Sequence, residues 1–255
     1  MNMMRLPEPV RLLVHPQLDR YATRLARGAG DVRAAQALRY EVFNLELREG
    51  LAESHATGLD ADVFDAVCDH LLVEDTETGA VVGTYRLQTG ANAAANLGYY
   101  SEQEFDFSPF EPFRAELIEL GRACVHQQHR NLVVLGLLWK GIVEYAARQG
   151  GRYLCGCSSL TSQDPTVGAS AYADLCRKHL AAAPWRTVTQ PAFECPLDQL
   201  AEETPRIPKL LRAYLSLGAK ICGPPALDRQ FKTIDFLTLL DLQQLPEGVR
   251  ARLLA

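Results

Sequence analysis

One stretch limits the fold of this chain more than any other. Residues 117–149 combine a short apolar segment, a polar break and a long apolar segment. Residues 117–125 (LIELGRACV) predict a largely buried strand, since short apolar runs are typical of strands inside a sheet. After the polar residues 126–131, residues 132–149 predict an apolar, amphipathic helix closed by Gly150 and Gly151. A strand, a turn and a helix in this order indicate a mixed α/β fold.

The rest of the chain alternates between helical and extended segments. Asp31 is the predicted N-cap of a helix that runs to about residue 47. Residues 1–18 predict an irregular leader, and residues 19–255 predict a single domain. The remaining predicted elements are a short strand within 19–28, a hairpin of strands 70–74 and 80–87, a loop at 90–97, a strand at 153–157, helices at 168–182 and 208–217, and strands at 219–222 and 231–240.

Composition excludes several classes of protein. With 47% hydrophobic and 22% charged residues over 255 positions, the chain is neither disordered, nor collagen-like, nor a disulfide-dense miniature. Its net charge of −5 argues against a general nucleic-acid binder. The seven cysteines include no CxxC pair, which predicts reduced thiols in a cytoplasmic protein. No apolar run reaches 18 residues, so no membrane span is predicted, and peripheral contact with the inner membrane face stays open.

Charge is segregated along the chain. Residues 41–80 hold eleven acids against one base, whereas residues 121–155 hold five bases against one acid and residues 205–232 hold six against one. One interpretation is a cationic substrate near the acidic stretch and an acidic or phosphorylated partner near the basic stretches. The alternative is an ordinary solvated surface.

Two charges inside the apolar segment 117–125 are candidates for catalysis. Strand alternation predicts that Glu119 and Arg122 point to opposite faces. A buried acid needs either a partner or a chemical role, so Glu119 is a candidate general base for an amine or one half of a structural ion pair. Cys124 is more readily interpreted as a small packed residue than as a nucleophile. His126 and His129 lack a third ligand, so no metal site is predicted.

Asp65 and Asp69 form a second candidate pair. They are four residues apart, so either a helical turn or an extended segment would place both on one side. Such a pair could bind the side-chain ammonium of a diamino acid, or could hold Arg39 or Arg86 permanently.

Several segments together resemble a known family. The residues that carry the likeness over about residues 20–242 are LRYEVF (38–43), FDAVCDHLLVED (64–75), GTYRLQTG (83–90), YYSEQEFDFSPF (99–110), ELGRACV (119–125) and LGAKICGPPALDRQFKTIDFLTLL (217–240). They resemble the bacterial ornithine-lipid N-acyltransferases, long labelled hemolysin-like, of the GNAT superfamily, which are similar to acyl-homoserine-lactone synthases. The resemblance implies a central mixed, splayed β-sheet flanked by helices, with acyl donor and amine acceptor meeting at the splay.

The resemblance also implies roles for individual residues. Glu119 and Arg122 match the catalytic Glu-x-x-Arg, and the positions implied to surround the substrate are Arg39, Phe43, Asp65, Asp69, Arg86 and Phe105. A backbone N–H near Cys124 or Val125 would stabilise the oxyanion. The resemblance implies acyl carrier protein as the donor, and because carrier proteins are acidic, the basic stretch 121–155 supplies the residues predicted to bind it and its phosphopantetheine arm: Arg130, Lys140, Arg148 and Arg152. No metal and no tightly bound cofactor are implied.

Departures from the family patterns refine the expected substrates. Residues 44–51 lack the tryptophan of the homoserine-lactone synthases, and residues 128–136 lack an intact pyrophosphate signature. These departures argue against a homoserine-lactone product and against acetyl-CoA as the donor. The resemblance implies the acyl-phosphopantetheine of acyl carrier protein as the donor, carrying a long, 3-hydroxylated chain, and the α-amine of ornithine as the acceptor. The alternatives are another acceptor such as glycine or lysine, or a non-catalytic, membrane-associated hemolysin-like protein.

Overall fold

The computed structural model of the protein describes residues 18–249, and the leader predicted for residues 1–18 lies almost entirely outside them. Within the described part, eight strands form one sheet in the order β1-β2-β3-β4-β5-β8-β6, with β7 also paired to β8. The strands are β1 Tyr21–Leu25, β2 Asp69–Asp75, β3 Ala80–Thr89, β4 Leu117–Val125, β5 Tyr153–Leu160, β6 Lys220–Ile221, β7 Ala226–Asp228 and β8 Thr233–Asp241.

Helices cover both parts of this sheet. They are α1 Ala29–Tyr40, α2 Ser54–Thr57, α3 Gly90–Ala95, α4 Leu132–Gln149, α5 Pro165–His179 and α6 Lys209–Ser216. Helix α4 packs on β1, β2 and β3, and its buried Leu138 and Ile142 join the largest core cluster. Helices α5 and α6 cover the half of the sheet formed by the later strands. Within residues 18–249, no helix is both long and apolar enough to cross a bilayer.

The sheet divides between β4 and β5. These two strands are parallel, whereas the other neighbouring pairs are antiparallel, and their pairing stops after Glu119 and Cys155. Just beyond that point, a Cβ at Gly156 would lie 2.1 Å from the backbone oxygen of Leu120, so glycine allows the strands to pass there. Beyond this point β4 pairs only with β3, and β5 pairs only with β8. The predicted mixed, splayed sheet is therefore confirmed.

Local sequence signals fixed some elements more closely than others. Helix α4 has the predicted bounds, because Asn131 accepts hydrogen bonds from the N–H groups of Val133 and Val134, and Gly150 ends the helix in the left-handed region. The predicted N-cap at Asp31 is wrong: α1 begins at Ala29, and Asp31 instead binds the guanidinium of Arg24.

The expected end of the first helix near residue 47 is confirmed, although its last part changes geometry. Helix α1 ends at Tyr40 and continues as a π-helical segment over Glu41–Glu46, a widened turn found often near functional sites. The loop predicted at 90–97 is wrong. Residues 90–97 contain α3 rather than only a loop, because Thr89 caps the N–H of Asn92 at the start of an alanine-rich run. The short strand β7 had no separate sequence signal.

Candidate active site

A cavity of 310 Å³ opens where β4 and β5 separate. Its wall combines cationic, acidic and apolar side chains from elements distant in sequence. Those used below are Phe43, Glu49, Arg86, Tyr100, Ser101, Glu104, Glu119, Arg122, Cys157, Leu210, Leu211, Asp228, Phe231 and Asp235. A second, smaller cavity extends the gap between the two strands toward Tyr85, Trp139 and Tyr214. The site is thus polar on one wall and mostly apolar inside the splay.

One buried group beside the cavity, which we call the arginine–aspartate cluster, contains three arginines and three aspartates. Arg39 donates to Asp60 Oδ1 at 2.8 Å and to both carboxylate oxygens of Asp65 at 2.9 and 2.6 Å. The other members are Arg86, which donates to Asp62 and Asp65, and Arg122, which donates to Asp62 at 2.8 Å. Charges of both signs are present in equal number, so each buried ion has a partner.

The electrostatics of this cluster follow from its pairing. Burial alone would raise the pKa of Asp65, but the guanidinium groups of Arg39 and Arg86 hold it well below its usual range. Burial opposes ionisation of Asp62 as well, and Arg86 and Arg122 keep the pKa of its carboxyl below the ordinary value. Both carboxyl groups are therefore anions at neutral pH, and the cluster orients the two arginines on the cavity wall.

Glu119 lies at the last position of β4 that pairs with β5, where the splay begins. Its carboxylate accepts hydrogen bonds from the backbone N–H of Tyr100 and of Ser101, each at 2.8 Å, and from the Ser101 hydroxyl at 2.7 Å. Burial raises the pKa of Glu119, although these three donors partly oppose the rise. A buried carboxylate with a raised pKa, on the wall of an open cavity, is suited to accept a proton.

Arg122 does not follow the predicted alternation. Its backbone has a φ of 50° in the left-handed region, and the β3–β4 register shifts there, between the pairs Thr84–Cys124 and Arg86–Gly121. This bulge brings Arg122 onto the wall that already holds Glu119, so the prediction of opposite faces is wrong. The Arg122 guanidinium lies 4.0 Å from the centre of the Phe231 ring and 5.0 Å from that of Tyr100.

Asp65 and Asp69 do not form a pair. Asp65 is buried in the 3₁₀ turn Val63–Ala66 and binds Arg39 and Arg86, whereas Asp69 is exposed at the start of β2 and accepts a hydrogen bond from Tyr145. The expectation that the two share one side is wrong, because a turn between them directs the two side chains to different partners. Asp60 and Asp62, not Asp69, accompany Asp65.

The other residues expected around the substrate divide into two groups. Phe43, on the π-helical segment, and Arg86 line the cavity. Arg39 and Phe105 are fully buried and do not line it: Arg39 acts through its aspartates, and Phe105 packs in an aromatic core with Tyr99 and Phe107. Neither side chain is therefore on the wall of the cavity.

The two candidate oxyanion donors differ in orientation. Cys124 lies opposite Thr84 and Val125 opposite Gly83 in the β3–β4 ladder, and the N–H of His126 donates to Val82. Because antiparallel pairs alternate between bonded and non-bonded, Cys124 bonds to β3, and the N–H of Val125 points away from β3. Neither residue lines the two cavities at the splay. The Val125 carbonyl accepts a hydrogen bond from Arg130 Nε at 3.0 Å, as expected at a position that does not bond to β3. Burial also raises the pKa of the Cys124 thiol, as expected for a packed residue.

The four basic residues predicted to bind the donor do not form one surface. Arg130 lies before α4, close to Val125, and pairs with Glu46 through both terminal nitrogens. Lys140 lies midway along α4, while Arg148, at its far end, and Arg152, which pairs with Asp241, are about 27 Å from Arg130 along an 18-residue helix. The four residues are therefore spread along α4 and beyond its end, and their role in donor binding stays a prediction.

The sequence analysis missed a second buried group, which we call the carboxylate cluster. Glu104, Asp228 and Asp235 are each at most 4% exposed and line the cavity, and one carboxylate oxygen from each lies within 4.8 Å of the others. Asp235 had the same signal as Glu119, an acid inside an apolar strand (TIDFLTLL). Glu104 and Asp228 lie in irregular or short segments that gave no such signal.

Comparisons with known proteins agree with this geometry. Residues 38–140 match the family model of the acetyltransferase (GNAT) domain. The L-ornithine N(alpha)-acyltransferase of Agrobacterium fabrum is 34% identical, over 88% of this chain and 81% of that relative. FeeM, an N-acyl amino acid synthase from uncultured soil microbes, has a TM-score of 0.51 at 14% identity over 89% of this chain and 95% of FeeM. The AHL synthase LasI has a TM-score of 0.50 at 12% identity, over 87% and 89%.

These comparisons establish the class of the protein. The solved structures, at low identity, share the fold, and so confirm the GNAT-like architecture expected from the resemblance. The sequence relative is similar over most of both chains, and its name is that of an acyl-transfer enzyme, not of a lytic protein. The protein is an acyltransferase, and the chain belongs to the L-ornithine N(alpha)-acyltransferase family.

Proposed function

We propose that this protein transfers a long-chain 3-hydroxyacyl group from acyl carrier protein to the α-amine of L-ornithine, giving lyso-ornithine lipid. The observation that carries this proposal is the cavity at the splay, whose polar wall holds Glu119 and whose apolar extension runs between β4 and β5. An amine and an acyl thioester can approach each other there from opposite sides. Because the donor is already activated, proximity supplies much of the rate.

The acceptor amine is mostly protonated at neutral pH and must lose a proton before it attacks. Glu119 takes that proton, directly or through one water, and its raised pKa brings its basicity closer to the working pH. Ser101 and Tyr100 hold the Glu119 carboxylate in one orientation. Arg122 and Arg86, fixed by the arginine–aspartate cluster, contribute positive charge that suits the α-carboxylate of an amino acid.

The bond changes require no metal and no covalent enzyme intermediate. The amine nitrogen bonds to the thioester carbonyl carbon, and a backbone N–H of β4 that the splay leaves unpaired donates to the oxygen as it gains negative charge. Val125, six residues beyond Glu119, lines neither cavity, so a donor closer to Glu119 fits this role better. The carbon–sulfur bond then breaks, and the phosphopantetheine sulfur leaves as a thiol with the second proton, which the nitrogen loses as it becomes an amide. The first proton, taken by Glu119 before the attack, is released to solvent. The product is an amide and free carrier-protein thiol.

Acyl carrier protein as the donor is supported by the position of the basic residues next to the cavity mouth. Helix α6 contributes Leu210 and Leu211 to the cavity wall, while its Lys209 and Arg212 are exposed. Arg130 lies beside Val125 at the start of α4. An acidic carrier protein docked on this edge can direct its pantetheine arm into the splay. The expected location is the cytoplasm, with peripheral contact at the inner membrane face.

Reconstitution tests the proposal. The purified protein is mixed with ornithine and a 3-hydroxyacyl carrier protein, and the product is identified by mass spectrometry; expression in a host without ornithine lipids gives the parallel test in cells. We expect N-acylornithine in both. If no amide forms with carrier-protein or coenzyme A thioesters of several lengths, the proposed reaction is wrong.

Glu119→Gln separates catalysis from folding. We expect turnover to fall by about 10²–10⁴-fold with a melting temperature close to that of the wild type, because Gln keeps the size but cannot accept the proton. The acidic limb of the pH–rate profile should disappear. Ser101→Ala is the matched control, since it removes one hydrogen bond to Glu119 but leaves the base, and it should retain that limb. Equal turnover of Glu119→Gln and the wild type would contradict the assignment.

A further inference from the structure

The carboxylate cluster is made by three separate parts of the chain. Glu104 follows the 3₁₀ turn Tyr100–Gln103, Asp228 ends β7 and Asp235 lies in β8. Asp228 Oδ1 accepts the backbone N–H groups of Gln230 and Phe231 at 2.7 and 2.9 Å, and Asp235 Oδ2 accepts the hydroxyl of Thr233 at 2.9 Å. Each aspartate therefore uses one oxygen to hold its own loop or strand, and Ser159 of β5 also bonds the carboxyl of Asp235.

This cluster has no cation within the described chain. Among residues 18–249, no lysine, arginine or histidine forms an ion pair with Glu104, Asp228 or Asp235. Arg122, the nearby base, is committed to Asp62. Burying carboxylates together without a counter-charge is unfavourable unless they bind a proton or a cation.

An independent observation indicates a missing partner. Asp235 is 3% exposed, and its carboxyl receives side-chain hydrogen bonds from Thr233 and from Ser159, which lies opposite it in β5. Its Oδ1 is buried and has no hydrogen bond of good geometry in the described part of the chain. Since almost all buried polar atoms in folded proteins are bonded, an orphaned carboxylate oxygen on a cavity wall marks a place for a donor from a ligand. The same wall also holds Glu49, so negative charge dominates this end of the cavity.

We propose that Glu104, Asp228 and Asp235 form the subsite for the side-chain ammonium of the acceptor, and thereby select diamino acids over neutral ones. This inference rests on the proposed function. An ammonium offers three donors, which matches three convergent carboxylates, and Asp235 Oδ1 takes one of them. The α-amine would then lie toward Glu119 and the α-carboxylate toward Arg122.

The arrangement along the wall supports this orientation. Ser101 Oγ is 2.7 Å from Glu119 Oε1 and 3.4 Å from Cys157 Sγ, and Cys157 Sγ is 3.7 Å from Glu104 Oε2. The base and the carboxylate cluster are thus separated by two small side chains. An extended ornithine, whose two nitrogens are roughly 6 Å apart by standard bond lengths, fits a wall on which both groups are neighbours.

The test compares ornithine with norvaline, which has the same carbon chain without the side-chain ammonium. The wild type should bind and acylate ornithine at least tenfold better. Asp235→Asn should lower kcat/KM for ornithine by about ten- to a hundredfold, as expected for a lost charge-assisted contact, and leave norvaline and the donor KM almost unchanged. Glu104→Gln is the second variant, in case Asp235→Asn does not fold. Asp198→Asn, an exposed aspartate distant from the cavity lining, is the matched control.

The outcomes separate this inference from the proposed function. If the wild type acylates ornithine but the variants lose ornithine and norvaline activity equally, the subsite is wrong and the reaction stands. If no acylation is seen, titration calorimetry of the protein with ornithine and with norvaline, without donor, still tests the subsite. Equal affinity for the two amino acids would contradict it. Stoichiometric divalent metal in the purified protein, with ornithine preference abolished by chelation and restored by the metal, would show a metal in place of the ammonium.

Discussion

The two buried polar clusters beside the cavity differ in how their charges are completed. The arginine–aspartate cluster contains three guanidinium and three carboxylate groups that pair with each other. The carboxylate cluster contains three acids and, within the described residues, no cationic partner. Both are buried in the same wall, so solvent does not explain the difference. The first holds itself together, whereas the second is incomplete without a proton or a ligand.

This difference separates buried charges that stabilise the fold from buried charges that can bind a ligand. A balanced cluster stabilises the loop Asp60–Asp65 against α1 and β3, and losing one partner leaves the others uncompensated. An unbalanced cluster lowers stability in the empty protein and gains from a cation. The expected effects below follow from this distinction.

The largest expected effect comes from breaking the balanced cluster. Arg39→Met removes the partner of both Asp60 and Asp65, and we expect the free energy of unfolding to fall by about 3–5 kcal/mol. Urea denaturation at pH 7 measures it. Arg148→Met, at an exposed site on α4, is the control and should change stability little. A small loss of stability in Arg39→Met would show that the aspartates of the cluster do not depend on Arg39 for their counter-charge.

The next effect concerns the unbalanced cluster and depends on pH. Burial raises the pKa of Asp235 to about 6 from an ordinary 3.8, with further contributions from the negative charges of Asp228 and Glu49. Below about pH 4 this carboxyl is protonated in both the folded and the unfolded state, so it does not change the free energy of unfolding. As pH rises from about 4 to 6, the unfolded state loses the proton more readily than the folded state, and the free energy of unfolding falls. Asp235→Asn cannot ionise, so relative to the wild type it should gain up to about 3 kcal/mol across that window.

Denaturation of both proteins at pH 4 and pH 7 gives this difference directly, and saturating ornithine should reduce it. The groups that face Asp235 and the cluster from other elements stay the same in both proteins: Glu49, Glu104, Arg122, Cys157 and Asp228. A difference between variant and wild type that does not depend on pH would show that Asp235 is already paired.

A smaller effect distinguishes the two groups of surface bases. Charge reversal of Lys209 and Arg212, next to the cavity mouth, should raise the KM for acyl carrier protein several-fold and make it less sensitive to salt. The same change at Arg148, at the far end of α4, and at Arg152, just before β5, should leave that KM unaltered, because both lie away from the cavity mouth. Steady-state kinetics over a range of ionic strength compare the two. An equal response from both pairs would contradict docking at the cavity mouth.

The smallest effect is expected for Asp69→Asn. Asp69 is exposed, belongs to neither cluster and loses only part of its hydrogen bond with Tyr145. Competition among ornithine, lysine, glutamine and glycine should give the same order of preference as in the wild type. A shift toward the neutral acceptors would return Asp69 to the acceptor site, as the sequence spacing first indicated.

Some of the site could be found from the sequence, for a physical reason. Glu119 is conspicuous because an acid in an apolar strand needs a partner or a role, and the family motif marked Arg86 and Arg122 as well. The Asp65–Asp69 pair failed because residue spacing predicts a shared face only within one regular element, and the 3₁₀ turn ends between them. The opposite placement of Arg122 failed because a bulge interrupts the two-residue period of the strand.

The sequence by itself determined the elements whose signals are local: the strand Leu117–Val125, the capped helix Leu132–Gln149, the hairpin, and the family to which the motifs belong. Only the tertiary structure decided which charges meet. Glu104 and Asp235 are 131 positions apart, yet their carboxylates share one wall, because β8 pairs beside β5 and the turn before Phe105 crosses the splay. Hydrophobic periodicity and caps act over a few residues, whereas the pairing of a buried charge depends on whatever the fold brings next to it.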